Sequence, residues 1–505
     1  MGARALFITM PVLMLALVAA GAAHARQAWS DEHAADLADA LAEVWTHGLT
    51  PGHYPSPEEV TALPAGPERD ALASDAFLAL ARDLAAGRID PRQLEPDWTA
   101  PARVPDLDLV LATALRENTV FDTLEGLGPS HPDYMALRRE LIRRHALLRA
   151  HTPIAHGPWM EQGDSGERVD ALRARLFQEG LLAVRGEAGA PFDETLRTAL
   201  IRFQARHNLA TDGVAGPSTM RELNTPPRHR LDQVRANLER WRWVPRDLGE
   251  RHIRVNLADY RLEAWSGGQV ERTHRSMIGR GYNRTPVFSE DMTFIEINPV
   301  WYTPTSLGAP WLRRFQTNPG YALASGYRLV DQSTGAVINP SQADWANGRY
   351  RVIQVPGAGN SMGEVKFMFP NIHNIYIHDT PERALFDNVQ RNELSGCVRV
   401  DEPRELAWWV LQGETGWTRE AMEEAFDSGR TRRVWLRHHI PVHILYFTVV
   451  SDRFGNARFI HDIYNRDRAL ITALDADARG DSVVEEMAVI HPSSFETLSV
   501  ESSSG

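Results

Sequence analysis

Cysteine and lysine are almost missing from this chain. Its 505 residues hold one cysteine, Cys397, and one lysine, Lys366, among 54 basic residues. A single cysteine excludes an internal disulfide. The lysine shortage reads as a coding bias toward arginine. Positive charge is not in excess either: the formal net charge is −12. Phosphate binding wants a basic face, so no nucleic-acid partner is expected. Long hydrophobic runs are scarce. The one candidate, Leu6 to Ala20, is interrupted by Thr9 and Pro11 and falls short of the roughly 20 residues a spanning helix needs. Arg4 precedes it and Ala23-His24-Ala25 follows it, the pattern of a cleaved export signal with mature protein from about Arg26. An uncleaved anchor is the alternative. What remains is an ordinary globular mixture, 43% hydrophobic and 24% charged, which excludes a fibrous, wholly disordered or polytopic membrane protein. The length suits roughly three or four domains.

Periodicity divides the chain. Leu37, Leu41, Val44 and Trp45 make one apolar stripe that ends at Gly48, Ser56-Pro57-Glu58-Glu59 is a capping box, and Tyr134, Leu137, Leu141 and Leu148 mark a further helix. Residues 26–158 therefore read as a helical scaffold, after a signal peptide at 1–25. Residues 159–226 form a compact unit with helices around Leu172, Leu200 and Met220. Thr225-Pro226-Pro227 punctuates the chain, and 227–250 reads as a helical linker. From Ile253 the period changes to two. Ile253, Val255 and Leu257, then Phe294 to Ile297, then Ile372, Ile375 and Ile377, then Val442 to Val450 read as strands, and Phe454-Gly455-Asn456 as a hairpin turn. Residues 251–470 are thus mainly sheet. An insertion at 305–355, rich in Trp, Pro and Gly, has the length of a lid or binding loop. Residues 471–505 read as a tail, disordered at its Ser-rich end.

The stretch with chemistry runs from Asn374 to Val400. His378 and Cys397 stand 19 positions apart, each next to an apparent strand. In an exported chain a lone cysteine is either a buried inert hydrophobe or a reactive thiol, and its neighbours decide. A thiol attacks carbonyls as thiolate and needs a base or cationic partner near neutral pH, for which imidazole is suited. Adjacent strands would bring His378 to Cys397. Gly396 permits a tight turn, so amides beside Cys397 can face a developing oxyanion. Asp401 is the expected cap of the helix beginning at Pro403. His438, His439 and His443 are read as surface or packing residues, Glu296 and Asp291 as solvated edge residues, and the 14 tryptophans mainly as core, with Trp301, Trp311 and Trp345 possible substrate platforms. No metal or organic cofactor is expected.

Two resemblances add to this reading. Phe203-Gln204, Asn208-Leu209, Asp212-Gly213, Gly216-Pro217-Ser218-Thr219 and Leu223-Asn224 resemble the peptidoglycan-binding domain of wall enzymes. Arg284-Thr285-Pro286-Val287-Phe288-Ser289, Asn298-Pro299-Val300-Trp301, Lys366 to Asn371, His378-Asp379-Thr380-Pro381, Leu385-Phe386, Ser395-Gly396-Cys397-Val398-Arg399-Val400, Pro441 to Tyr446 and Asp462-Ile463-Tyr464 resemble an L,D-transpeptidase with a YkuD-type catalytic domain, of the large periplasmic YcbB-like kind. The resemblance covers roughly residues 130–470. It implies a multidomain α+β protein: helical N-terminal scaffold, small three-helix peptidoglycan-binding-like domain, and a mainly-β, sandwich-like catalytic domain with a capping insertion.

It also implies roles. Cys397 matches the nucleophile and His378 its base. Arg399 matches an arginine that supports the site and can meet a substrate carboxylate, and Tyr376 an aromatic lining the donor site. Asn374 and Gly396 match supporting positions. The family's usual Ser-His-Gly-Cys is here Leu394-Ser395-Gly396-Cys397, so Ser395 replaces a histidine and is expected to donate to the oxyanion or brace the loop. The implied partners are peptidoglycan stem peptides, a tetrapeptide donor and a diamino-acid acceptor, with carbapenem-type acylation of Cys397. The implied location is the periplasm. A non-catalytic wall-binding protein and a periplasmic cysteine peptidase or amidase are the competing classes.

Overall fold

The computed structural model describes residues 27–99, 104–149, 151–393, 396–452 and 454–476. The expected signal segment, Ser395 and the end of the tail lie outside them. The N-terminal region is helical, as its stripes require. Helices Asp31–Glu43, Pro67–Ala86, Leu107–Glu117 and Val120–Leu127 enclose one cluster that includes Leu37, Leu41, Phe77 and Leu80. The Ser56–Glu59 capping box forms at the helix Pro57–Thr61, and Gly48 closes the first helical stretch at φ 78°.

The helix Pro132–Leu147 behaves differently. Its Tyr134, Leu137 and Leu141 join the core of the sheet region, as do Leu231, Val234 and Leu238 of the helix Pro227–Arg242. Both helices are therefore packed against the strands. The second carries charge inside: Arg242 pairs with Glu239 at 2.5 Å and Arg240 with Asp467 at 2.5 Å, so the buried guanidiniums are matched rather than stranded. Three helices, Glu167–Gln178, Glu194–Arg206 and Pro217–Leu223, form the small unit. Its motif residues have a physical role. Buried Gln204 donates to Asp212 Oδ1 (2.7 Å) and the Val214 carbonyl (3.0 Å), and accepts from the Gly213 amide (2.9 Å), which locks the turn before the third helix. Glu179 of this unit meets Arg144 at 2.9 Å with both side chains buried.

Four strands open the sheet region: β1 Arg251–Asn256, β2 Arg261–Ser266, β3 Gln269–Met277 and β4 Phe288–Ile297. An inserted unit follows, with β5 Trp301–Tyr302, β6 Tyr327–Asp331, β7 Val337–Ile338 and β8 Tyr350–Gln354. The chain returns with β9 Val365–Met368, β10 Ile377–His378, β11 Val398–Val400 and β12 Arg432–Leu445, and adds the hairpin β13 Val449–Ser451 and β14 Ala457–Phe459. Strands β1-β12-β4-β9-β10-β11-β3-β2 close into a barrel, so the two layers of the expected sandwich-like domain are joined at both edges and no edge strand is left. Inward positions alternate: Ile295, Phe367, Ile377, Val398 and Val400 are all fully buried.

The insertion is an ordered α+β unit rather than a structureless loop. Helices Thr305–Thr317 and Pro319–Ala324 pack on the sheet β5-β8-β6-β7. Trp301 and Phe315 sit in its core, Trp311 stacks on Tyr327 with centroids 3.7 Å apart, and Trp345 meets Tyr350 edge-on. Aromatic packing, then, occupies the three tryptophans considered as platforms. Three local expectations need correction. Ile372 and Ile375 are not in a strand: Ile372 is 82% exposed, and the turn is held by Asn371, whose amide donates to the Phe369 and Ile375 carbonyls at 2.7 Å each. Glu296 is not solvated but buried, paired with Arg433 at 3.0 Å. Asp401 does not cap the helix at Pro403. Glu402 holds that position, and the Asp401 carboxylate accepts from the Arg275 amide and Nε, each at 2.7 Å.

Candidate active site

Short strands set the site. β10 lies between β9 and β11, antiparallel to the first and parallel to the second. Ile377 faces Phe367 and Val398 inside the barrel, so His378, by alternation, is directed to the outer face. There it stands directly opposite Lys366 on one side and Arg399 on the other. The row continues through Glu296, opposite Lys366, to Arg433, opposite Glu296. Cys397 precedes β11 on the same face as Arg399, and the same register puts it beside Tyr376; the Val398 amide donates to the Tyr376 carbonyl at 3.2 Å. The register thus brings Tyr376, His378, Cys397 and Arg399 together. Asn374 is in the preceding turn at φ 55°, where its backbone reverses the chain. Gly396 has φ 111°, a conformation that favours glycine.

His378 is buried, and its Nδ1 lies 2.6 Å from the Asp379 carbonyl oxygen. A carbonyl only accepts, so in neutral imidazole Nδ1 carries the proton and Nε2 is left basic. Burial, then the positive charge of Arg399 and Lys366, pushes the His378 pKa down to about 3 despite that hydrogen bond. Burial pushes the Cys397 thiol up, opposed by the amide and phenol of Tyr376 and by the charges of Lys366 and Arg399. The resting pair is therefore neutral thiol and neutral imidazole, and the proton must move as the sulfur attacks. Tyr376 is raised, first by burial and then by the neighbouring sulfur. Its ring lies 5.5 Å from that of His378 and packs against the inserted unit. Arg399 is held by Glu382 at 2.6 Å.

The loop before Cys397 is pinned from below. Fully buried Thr285 donates to the Gly396 carbonyl (2.7 Å) and accepts from the Gly279 amide (2.9 Å). Thr285, Asn371 and Lys366 carry no role in the sequence reading, although all three fall inside the blocks of the resemblance. Thr285 reaches Gly396 across 111 positions, Asn371 closes its own turn, and the partners of Lys366 on neighbouring strands are disclosed only by register. His443 uses both ring nitrogens, with Ser289 (2.8 Å) and the Leu248 carbonyl (2.9 Å). Among the described residues no group of three or more His, Cys, Asp or Glu is placed to hold a metal ion, and no helix is long and apolar enough to cross a membrane.

Residues 250–444 match the family described as L,D-transpeptidase catalytic domain, YkuD. That segment is a YkuD-type L,D-transpeptidase catalytic domain. Two further parts of the chain match as well: residues 22–141 a "Scaffold domain" and residues 165–223 a "Putative peptidoglycan binding domain". A Haemophilus influenzae protein named "Putative L,D-transpeptidase" is 33% identical over 243 residues, covering 47% of this chain and 48% of that protein. The chain spans about half the length of this curated relative. Among solved structures, the L,D-transpeptidase of Stackebrandtia nassauensis matches at 12% identity over 58% of this chain and 97% of that one, with a TM-score of 0.21. That of Xylanimonas cellulosilytica matches at 16% identity over 57% and 98%, with a TM-score of 0.16.

Proposed function

We propose that the protein is a periplasmic L,D-transpeptidase acting on peptidoglycan stem peptides through a Cys397 thioester. The observation that carries this reading is the parallel pairing of β10 with β11, which sets the outward face of His378 beside that of Cys397 and Arg399. In the reaction, Cys397 Sγ attacks the carbonyl carbon of the third, diamino-acid residue of a tetrapeptide donor while His378 Nε2 takes the thiol proton. Amides around Gly396 and Cys397, with the Ser395 hydroxyl, receive the oxyanion. The bond to terminal D-alanine breaks, and His378 returns the proton to the departing amine. The amine of a second stem's diamino acid then attacks the thioester, giving its proton to His378 Nε2; the carbon–sulfur bond breaks, the proton passes to the departing Cys397 sulfur, and a 3→3 cross-link is formed. Another amine can serve as acceptor.

Arg399 meets a carboxylate of the donor, Tyr376 lines the donor site, and Asn374 and Gly396 shape the backbone around it. The inserted unit caps the peptides, and residues 165–223 hold the glycan. The same acylation chemistry predicts opening of carbapenem-type β-lactams by Cys397. The test is incubation of residues 26–505 with disaccharide-tetrapeptide and mass spectrometry of the products. Cross-linked dimer and free D-alanine are expected. Cys397→Ala turning over as fast as the unsubstituted protein would refute the nucleophile. His378→Ala is expected to stay folded and lose acylation. Hydrolysis without any cross-link identifies a peptidase, and absence of any thioester adduct identifies a binding protein.

A further inference from the structure

The chain's one lysine stands in the same row as its one cysteine's partners. Lys366 lies directly across β9–β10 from His378 and across β9–β4 from Glu296. Its Nζ is 4.4 Å from the ring centroid of Tyr376, a cation–π contact, and the β10–β11 register sets Tyr376 beside Cys397. Lys366 is half-buried, so water screens its charge less than it would on an open surface.

We propose that Lys366 is a positioning residue for the reaction at Cys397, pressing the Tyr376 ring into place beside the sulfur and supplying positive charge that the thiolate requires. This rests on the thiol-nucleophile reading above. The groups facing the sulfur divide by sign. Lys366 on β9 and Arg399 on β11 favour thiolate. Glu382 partly offsets Arg399, to which it is paired. Glu296 on β4 faces Lys366 and is shared with Arg433 of β12. His378 on β10 is neutral and adds no charge, and Tyr376 stands beside the sulfur in the β10–β11 register. Lys366 is therefore the cation of the row whose carboxylate, Glu296, has a second cation to hold, which leaves the lysine's field directed at the tyrosine and the sulfur. The burial of the thiol opposes ionisation, so this field has an observable consequence.

The experiment is alkylation of Cys397 by iodoacetamide from pH 5 to 10, read by intact mass, in the unsubstituted protein and in Lys366→Met, Lys366→Arg, Tyr376→Phe and Glu296→Gln. Losing a nearby charge lowers the thiolate fraction, and the greater nucleophilicity of a more basic thiolate recovers part of the rate. Lys366→Met should react roughly threefold to tenfold more slowly at pH 7.5, with its inflection at higher pH. Lys366→Arg should restore the profile, and Tyr376→Phe should shift it in the direction of Lys366→Met. Glu296→Gln should shift it the opposite way, to lower pH, an effect that structural damage does not produce and that is measurable even if Lys366→Met fails to fold. A Lys366→Met profile superimposing on the parent, an arginine that does not rescue, or a Glu296→Gln shift to higher pH overturns the proposal while Cys397 remains reactive. A folded parent whose Cys397 is not alkylated at any pH overturns both this proposal and the nucleophile reading.

Discussion

Replacing Thr285 by valine tests whether two hydrogen bonds hold the loop that presents Cys397. The side chain is fully buried, and its hydroxyl joins the Gly279 amide to the Gly396 carbonyl at 2.9 and 2.7 Å. Valine fills the same volume, so no cavity opens. It strands one buried donor and one buried acceptor, each costing about 1–3 kcal/mol. Thr285→Val should therefore destabilise the barrel by about 2–6 kcal/mol. Thr285→Ser keeps the hydroxyl and loses one methyl, which costs about 1 kcal/mol. Urea unfolding followed by tryptophan fluorescence measures both, and iodoacetamide alkylation of the folded proteins reports on the loop. The Val variant should also lose the selective geometry of Cys397, seen as a changed alkylation rate under native conditions. A Thr285→Val loss below about 0.5 kcal/mol, or a Ser variant as damaged as the Val variant, would refute the reasoning.

Other outcomes follow from the same geometry. Gly363 has φ 61°, and a Cβ there would overlap the Asp379 carboxylate, whose residue orients His378 through its carbonyl; Gly363→Ala should cost about 2 kcal/mol or more in thermal unfolding and slow acylation as well. Because His378 is held at about 3, kcat/KM should show no imidazole limb between pH 5 and 7, and an inflection near the ordinary histidine value would contradict the resting neutral pair. Burial raises Glu140, but Arg144, Arg143 and Arg206 outweigh it and hold the carboxyl at about 2. A depressed carboxyl stabilises the fold above its unfolded value, near 4.5, and that stability is lost as pH falls from there toward 2. Glu140 and Glu179 share Arg143 and Arg144, so hydrogen exchange at pH 3 should rise first where residues 165–223 meet the helix Pro132–Leu147. Uniform protection of that junction between pH 7 and 3 would exclude this.

Local signals were legible where neighbours in the chain suffice. The capping box at Ser56, the hairpin at Gly455 and the Gln204 motif depend on residues within about 15 positions, and each appears in the sequence as a pattern. His378 and Cys397 were legible because a base and a thiol are rare chemical types beside strand-like runs. The charged row was not. Arg433, Glu296, Lys366, His378 and Arg399 come from five strands, and only register aligns them; alternation within any one strand carries no information about what stands opposite. Glu296 reads as solvated because its own strand is amphipathic, and it is buried because a neighbouring strand supplies Arg433. The insertion was visible as a length, but its core needs Trp301 at one end and Met362 at the other, too far apart for a periodic signal. Barrel closure depends on β1 meeting β12 across almost 190 residues.

The rarity of lysine has a practical consequence. An endoprotease that cuts only after lysine has a single site in this chain, on β9, between β4 and β10 in a ring without edges. Cleavage needs an extended, accessible stretch of backbone, which β9 offers only when its ladders come apart. Digestion would thus yield two fragments parted after residue 366, and the rate at which they accumulate would gauge how often the whole barrel opens, unclouded by fraying of the surrounding helices.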